Sequence, residues 1–525
     1  MKVFIIFQED CREKKGLVEQ MTASIRENGC SYRLILKSAS DTNFINLSEN
    51  LIEEIRNMDA EEIGMIIPET ICGPVLSLES LEEQIRNLDD IIVQLAYSSG
   101  IVAFKKEAIN CFDFLKWIHN GLTPTELNEF IKTELFDTSH FRKISPNPLM
   151  DMPDELIRCL HFPFFSLEVF RRKLNNSINT TLGNQARLLL NELREIGYDE
   201  DKLLRYLIAT VEQIDLLLTL QLIFILPSDR IELRADKENE EKTLALGMHL
   251  YYMDLLEQSK EYAKRFPPET DIIITTSDEK KKEKIECEFS DLECNSLDVR
   301  VVENRGRDVS SLLVGMRDLA EWKFVCFYHD KKTVQTKPGT VGVGFGYQCA
   351  ENLFSSRDYI HNVVNLFQSE KRLGILSPPP PNHSDYYFTM ALPWGLNWDV
   401  SFALYQRLSL SVPISKDKAP VAPLGTCFWF RGDALRKLLQ YGWNYEDFPS
   451  EPNGVDGTLL HAFERIYPYC AQQEGYYAAY VCSDKFAAVL RTTMMHYLRG
   501  YNRMASEYHI INKTEAMLNT IRELI

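Results

Sequence analysis

The chain has 525 residues, enough for several domains, and its 45% hydrophobic and 26% charged residues are those of an ordinary globular protein. With 58 basic against 76 acidic side chains the net charge is −18, which argues against a nonspecific nucleic-acid binder, because neutralising phosphates needs a basic face. Twelve cysteines are scattered without a C-x-x-C pair. They indicate neither a zinc site nor a disulfide framework, and free thiols suit a reducing cytoplasm.

In chain order, Val3–Phe7, Tyr32–Leu36 and Ile63–Ile67 read as strands, with helices over Gly16–Glu27 and Leu47–Met58 between them. This β-α-β-α-β alternation is that of a sheet with covering helices. The first apolar run is too short for a signal peptide. Residues 150–235 look mostly helical, with apolar helical spacing in Leu182–Ile196 and Lys202–Leu226. The stretch Ile214–Leu226 is too short to span a bilayer and reads as a buried core helix. The charged run Asp236–Lys242 marks a boundary. Alternation then resumes, with strands Leu244–Tyr252, Asp271–Thr276, Val299–Val302 and Phe324–Tyr328 and helices Met253–Phe266 and Glu279–Phe289. The second half therefore repeats the pattern of the first. Val309–Trp322 reads as an amphipathic helix, Gly339–Gly346 as a mobile loop, and Pro378–Pro381 as a rigid extended segment after a strand at Leu373–Leu376.

Two polar clusters follow predicted strands directly: Asn304-Arg305-Gly306-Arg307-Asp308 and His329-Asp330-Lys331-Lys332. In an open α/β sheet the carboxyl ends of parallel strands face the ligand crevice. Arg, Asp, His and Lys there suggest a phosphorylated or sugar-nucleotide ligand. Either turn alone could instead carry surface charges, with Gly306 present for a positive φ. Further on, the aromatic strand Leu424–Arg431 contains Trp429, and a helix follows from Asp433 to Tyr441. Acidic residues then crowd the chain: Glu446, Asp447, Glu451, Asp456 and Glu464. Asp456 has the place of a helix N-cap, and any one of these five acids is a candidate general base. His461 and Glu464, three apart, share a helix face. No G-x-S-x-G elbow or framed G-x-G-x-x-G appears, which disfavours a hydrolase or a dehydrogenase.

These stretches resemble the rhamnan synthesis protein F family of bacterial polysaccharide glycosyltransferases. The resemblance is carried by N-R-G-R-D at 304–308, H-D-K-K at 329–332, G-T-C-F-W-F-R at 425–431 and D-F-P-x-E-P-x-x-x-D-G-T-L-x-H-A-x-E-R at 447–465. Weaker matches are His249–Tyr252, Asp271–Thr276, Pro163–Phe170 and Cys72–Val75. The resemblance implies an α/β protein: a degenerate GT-A-like domain over 1–145, a mostly helical connector over 146–240, a GT-A-like transferase domain over 241–500 and a C-terminal helix over 501–525. It implies transfer of a deoxyhexose, L-rhamnose, from dTDP-rhamnose to a polyprenyl-linked glycan with inversion. The setting would be the cytoplasm or, peripherally, the inner face of the cell membrane. Asp456 would be the base, with Glu446 and Asp447 in reserve and with His461 and Glu464 beside it. Asn304 and Asp308 would contact the nucleoside, and Arg305, Arg307, His329 and Lys331 the diphosphate, with Lys332 and Trp429 also at the substrate. Where such enzymes hold a D-x-D metal motif for Mn or Mg, this chain has a single carboxylate, Asp330, whereas a divalent ion wants several hard oxygen ligands. Lys331 or Lys332 would then supply the positive charge. The alternative is a non-catalytic glycan-binding or assembly subunit of a polysaccharide synthesis complex.

Overall fold

A computed structural model describes residues 1–8, 12–37, 44–67, 71–72, 78, 82–83, 86, 92–95, 101–110, 118, 141–144, 165–167, 185–195, 197–230, 242–332, 340–381, 394–454 and 456–507. The chain divides into two compact units, Met1–Leu207 and Ile208–Ile525. The turn expected at Pro68-Glu69-Thr70, the motif residues Gly73-Pro74-Val75, most of 145–184 and the run 236–241 lie outside the described residues.

The first unit has the strands β1 (Lys2–Gln8), β2 (Ser31–Lys37), β3 (Ile63–Ile67), β4 (Ile71–Cys72), β5 (Ile92–Leu95), β6 (Ile101–Lys105), β7 (Phe141–Ile144) and β8 (Phe165–Ser166). β4 and β8 form a small pair of their own. The main sheet runs β2-β1-β3-β6-β5-β7, with β1 parallel to both neighbours and β6 antiparallel to β3 and β5. Helix Arg12–Glu27 lays Leu17, Met21 and Ile25, one turn apart, onto this sheet, and all three are buried. Helix Phe44–Arg56 buries Leu51, Ile52 and Ile55 in the same way.

The second unit is built on eight strands: β9 (Ile223–Leu226), β10 (Leu244–His249), β11 (Asp271–Thr276), β12 (Ser296–Val301), β13 (Phe324–His329), β14 (Leu373–Ser377), β15 (Phe428–Arg431) and β16 (Tyr477–Ser483). Their order is β12-β11-β10-β13-β15-β14-β16-β9, with β15 antiparallel to its neighbours and the other pairings parallel. β10 and β11 are buried along their whole length, and β13 all but its last residue, which explains why their sequences are apolar at both faces except at the strand ends. The chain leaves β10 to build β11 and β12 on one side and returns to place β13 on the other. The crevice at that reversal is where ligands bind in such sheets. In register, His249 at the end of β10 stands opposite Thr275 of β11 and His329 of β13.

Three expectations change. Lys202–Leu226 is not one helical run: helices Glu200–Thr210 and Gln213–Thr219 are followed by β9, after Gln221 turns the chain at φ 52°. Ile223-Phe224-Ile225 prefers a strand, and β9 pairs with the edge of β16. The loop expected at 339–346 lies, from Thr340 on, in helix Thr340–Phe354. Its glycines disfavour a helix, but Cys349, Leu353 and Phe354 are buried and Gln348 donates to the Pro379 carbonyl at 2.6 Å, so packing overrides propensity. Val309–Trp322 is an irregular coil of a helical turn, a π turn at Ser311–Gly315 and a 3-10 turn at Arg317–Glu321. Gly315 lets it close onto β12, since a Cβ there would stand 2.7 Å from Val302.

Candidate functional site

The carboxyl ends of β10 and β13 carry two histidines in opposite states. His249 is buried, and its Nδ1 lies 3.0 Å from Thr275 Oγ1 and 2.8 Å from Ser311 Oγ. Burial, with His329 nearby, pushes its pKa down to about 4, so the ring is neutral. His329 has Nε2 2.9 Å from the Gly425 carbonyl oxygen and Nδ1 3.1 Å from that of Asp330. Only the imidazolium can donate to both. Burial opposes its charge most strongly, but the Asp308 carboxylate 3.8 Å away and Cys427 together outweigh that and the pKa is pushed up to about 9. Asp308 in turn stays below the ordinary carboxylate range: burial resists, and His329, a Thr426 hydrogen bond and Lys331 prevail.

Lys331 is the second cation. Its Nζ lies over the Phe345 ring, 4.5 Å from the centroid. Burial lowers its pKa, but the fields of Cys427, Cys349, Glu464 and Asp308 raise it further, so it is charged. The turn above it depends on glycine. Gly425 has φ +80°, and a Cβ there would meet Lys331 Nζ at 2.0 Å and the Phe345 ring at 2.8 Å. Glu464 fixes this turn by accepting from Gly425 N at 3.0 Å and Thr426 Oγ1 at 3.4 Å. It therefore braces the cation pair.

Asp330 does different work from the one expected of a metal motif. Its Oδ2 accepts from the backbone of Tyr251 at 2.9 Å and Tyr252 at 2.6 Å, tying the β10 turn to β13. Burial raises its pKa. Among the described residues no group of three His, Cys, Asp or Glu could hold a metal ion. A committed carboxylate beside two cations does not fit Mn or Mg.

The other sequence-derived candidates divide. Arg305 and Arg307 are used within the protein: Arg305 donates to the Phe448 carbonyl at 2.7 Å and the Glu446 carbonyl at 3.3 Å, and Arg307 grips Glu451 with two bonds of 2.7 and 3.0 Å. They fasten the 446–453 segment, and Gly306, at φ 81°, lets Phe448 pack against the turn. Asn304 is exposed on that turn. Lys332 pairs with Asp254. Trp429 is a correction. It is fully buried, and its Nε1 donates to the Leu353 carbonyl at 2.9 Å, so it belongs to the core and no substrate can touch it.

Asp456 is exposed and is not the helix cap, since helix Leu459–Gln473 begins after Thr458. Asn397, fully buried, donates to Asp456 Oδ1 at 2.8 Å and accepts from Gly457 N at 3.1 Å. Burial raises the Asp456 pKa, but the Asn397 and Gly457 hydrogen bonds with His461 and Arg465 bring it below the ordinary value, so it is a carboxylate at neutral pH. His461 Nδ1 lies 2.8 Å from Thr458 Oγ1. The same helix thus carries His461 beside Asp456 and, one turn on, Glu464 beside the cation pair. Asp447, a reserve candidate for the base, is taken up by Arg407 at 2.6 Å. Sequence reasoning assigned no role to His249 and Arg465, which stand in its motifs, and Asn397 stands in none of them. His249 becomes a strand-end residue like His329 only because β10 stops there and does not run on to Tyr252, and Arg465 follows Glu464 in its motif. Asn397 had no signal.

Among known proteins, the rhamnan synthesis protein F family profile matches residues 127–476. The chain belongs to the rhamnan synthesis protein F family. The family match spans both strand-end turns, the Gly425 turn and the Asp456–Arg465 segment. Two curated relatives, both called uncharacterized protein WxcX and from two strains of Xanthomonas campestris pv. campestris, are 28% identical over 233 residues, which is 44% of this chain and 31% of theirs. The match thus spans about a third of their length. Two structures of the glycosyltransferase GlyE of Streptococcus pneumoniae TIGR4, one of them the apo form, match at 10 and 11% identity. They cover 70% of this chain and 98 to 99% of theirs, but TM-scores of 0.21 and 0.19 carry no argument about this rhamnan synthesis protein F member.

Proposed function

We propose that this rhamnan synthesis protein F member is a glycosyltransferase of cell-surface polysaccharide synthesis. Its donor is a nucleoside diphosphate sugar, dTDP-rhamnose, and its acceptor a polyprenyl-linked glycan. The observation that carries this reading is the pair of charged groups, His329 and Lys331, at the sheet's reversal point, where a diphosphate would meet preorganised positive charge.

The reaction is a single displacement with inversion. The acceptor hydroxyl gives its proton to the Asp456 carboxylate as its oxygen bonds the anomeric carbon. The bond from that carbon to the diphosphate oxygen breaks, and the nucleoside diphosphate departs with its electron pair. His329 and Lys331 offset the added charge in place of a divalent ion, so transfer is metal-independent. Asn397 keeps Asp456 oriented, and Glu464 keeps the Gly425 turn over Lys331. Asp456→Asn tests this reading directly. The variant should bind dTDP-rhamnose like the wild type while turnover falls by roughly 10²- to 10⁴-fold, the range for a lost general base. Wild-type turnover in that variant would remove Asp456 from the mechanism. A wild type that neither binds nor turns over any nucleotide-sugar would favour a glycan-binding subunit.

A further inference from the structure

The last helix among the described residues of the second unit, Asp484–Glu507, leaves β16 directly. Its start is pinned: Asp484 Oδ1 accepts from Ser228 N at 3.1 Å and from Lys485 N at 2.9 Å, and Phe486 is buried. Beyond that anchor the helix changes character. Val489, Met494, Met495, Leu498 and Tyr501 are 47 to 58% exposed. Met494, Leu498 and Tyr501 are spaced as one helical stripe. Lys485, Arg491, Arg499 and Arg503 are exposed as well.

No Asp or Glu occurs from Lys485 to Ser506, although about one residue in seven of the whole chain is acidic. The helix is thus a basic, apolar-faced rod on a protein of net charge −18. Its 24 residues give a length of about 36 Å. No helix among the described residues is long and apolar enough to cross a membrane.

We infer that helix Asp484–Glu507 is an interfacial membrane-binding element that lies on an anionic lipid surface. Met494, Leu498 and Tyr501 would enter the headgroup–acyl boundary, and Arg491 and Arg499 would pair with lipid phosphates. A second copy of the chain is the weaker occupant. The same stripe on another copy would cover the apolar side chains, but its helix offers no carboxylate between 485 and 506 to pair the arginines. A phosphate-rich surface answers both features at once. The inference goes beyond the proposed reaction and stands without it.

Vesicle flotation of the full chain tests it, using phosphatidylglycerol–phosphatidylcholine vesicles against phosphatidylcholine alone. The wild type should float with anionic vesicles and stay behind with neutral ones. Met494→Glu with Leu498→Glu should abolish flotation. Arg491→Gln with Arg499→Gln should weaken it on the order of 30-fold, from two lost charges. All four side chains are exposed, and the thermal midpoint checks that both variants stay folded. No flotation of the wild type, or equal flotation of wild type and both variants, would overturn the inference. Dimerisation lost in the Met494→Glu/Leu498→Glu variant, without vesicle binding, would overturn it in favour of a second copy. Donor turnover without acceptor should be unchanged in both variants, which separates this result from any failure of the transferase reading.

Discussion

His329 gives the sharpest electrostatic prediction. Its pKa is pushed from 6.5 up to about 9, which corresponds to about 3 kcal/mol favouring the charged form in the folded protein. Because the folded value is raised, that stabilisation is complete below pH 6.5 and is lost as pH rises through about 9. His249 does the reverse. Its folded value of about 4 is depressed, so its contribution is complete above pH 6.5 and is lost as pH falls through about 4. Two histidines opposite each other in register therefore divide the pH scale between them. Histidine ¹⁵N resonances, followed from pH 3.5 to 10 in the wild type, His329→Gln and His249→Gln, read both values. One ring should titrate near 9 and vanish from the spectrum of His329→Gln. A ring at 329 that titrates between 6 and 7 would refute the claim that Asp308 and the two carbonyls hold it as a cation.

Gly425→Ala should force Lys331 aside, because the new Cβ would lie 2.0 Å from its Nζ, and the left-handed backbone at φ +80° adds about 1–2 kcal/mol of strain. Donor turnover should fall at least tenfold and the unfolding midpoint should drop; a variant unchanged in both would show that the turn does not hold Lys331. Arg307→Ala and Glu451→Ala, singly and together, should reveal a coupling of only about 0.2–1 kcal/mol, since the pair is partly exposed, and donor KM should not move. A donor KM raised by Arg307→Ala alone would return that arginine to the diphosphate.

Much of the fold was legible because strand and helix periods are strong where burial is complete. Ile63–Ile67, Asp271–Thr276 and helix Glu279–Phe289 match the sequence reading residue for residue. It failed where tertiary packing overrules local preference, as in the glycine-rich start of helix Thr340–Phe354, and at β9, where an apolar run continuing a helical pattern masked the strand preference of Ile223–Ile225. The site was half legible. Strand ends announce His329 and Lys331, because their position follows from topology. Whether a charged side chain faces a crevice or a neighbouring loop does not, which is why Arg305 and Arg307 looked like ligands and serve the 446–453 segment instead. Trp429 could be told from a surface aromatic only by its surroundings.

The proposed donor site works through His329 and Lys331 and without a divalent ion. The measurement that tests it most directly is release of thymidine diphosphate from dTDP-rhamnose, with a lipid-linked glycan acceptor, by chelator-treated protein. Turnover should stay within about twofold of that with Mn²⁺ or Mg²⁺ added and be lost in Lys331→Met, as expected if two fixed cations offset the leaving charge. Turnover that appears only on adding metal would contradict it.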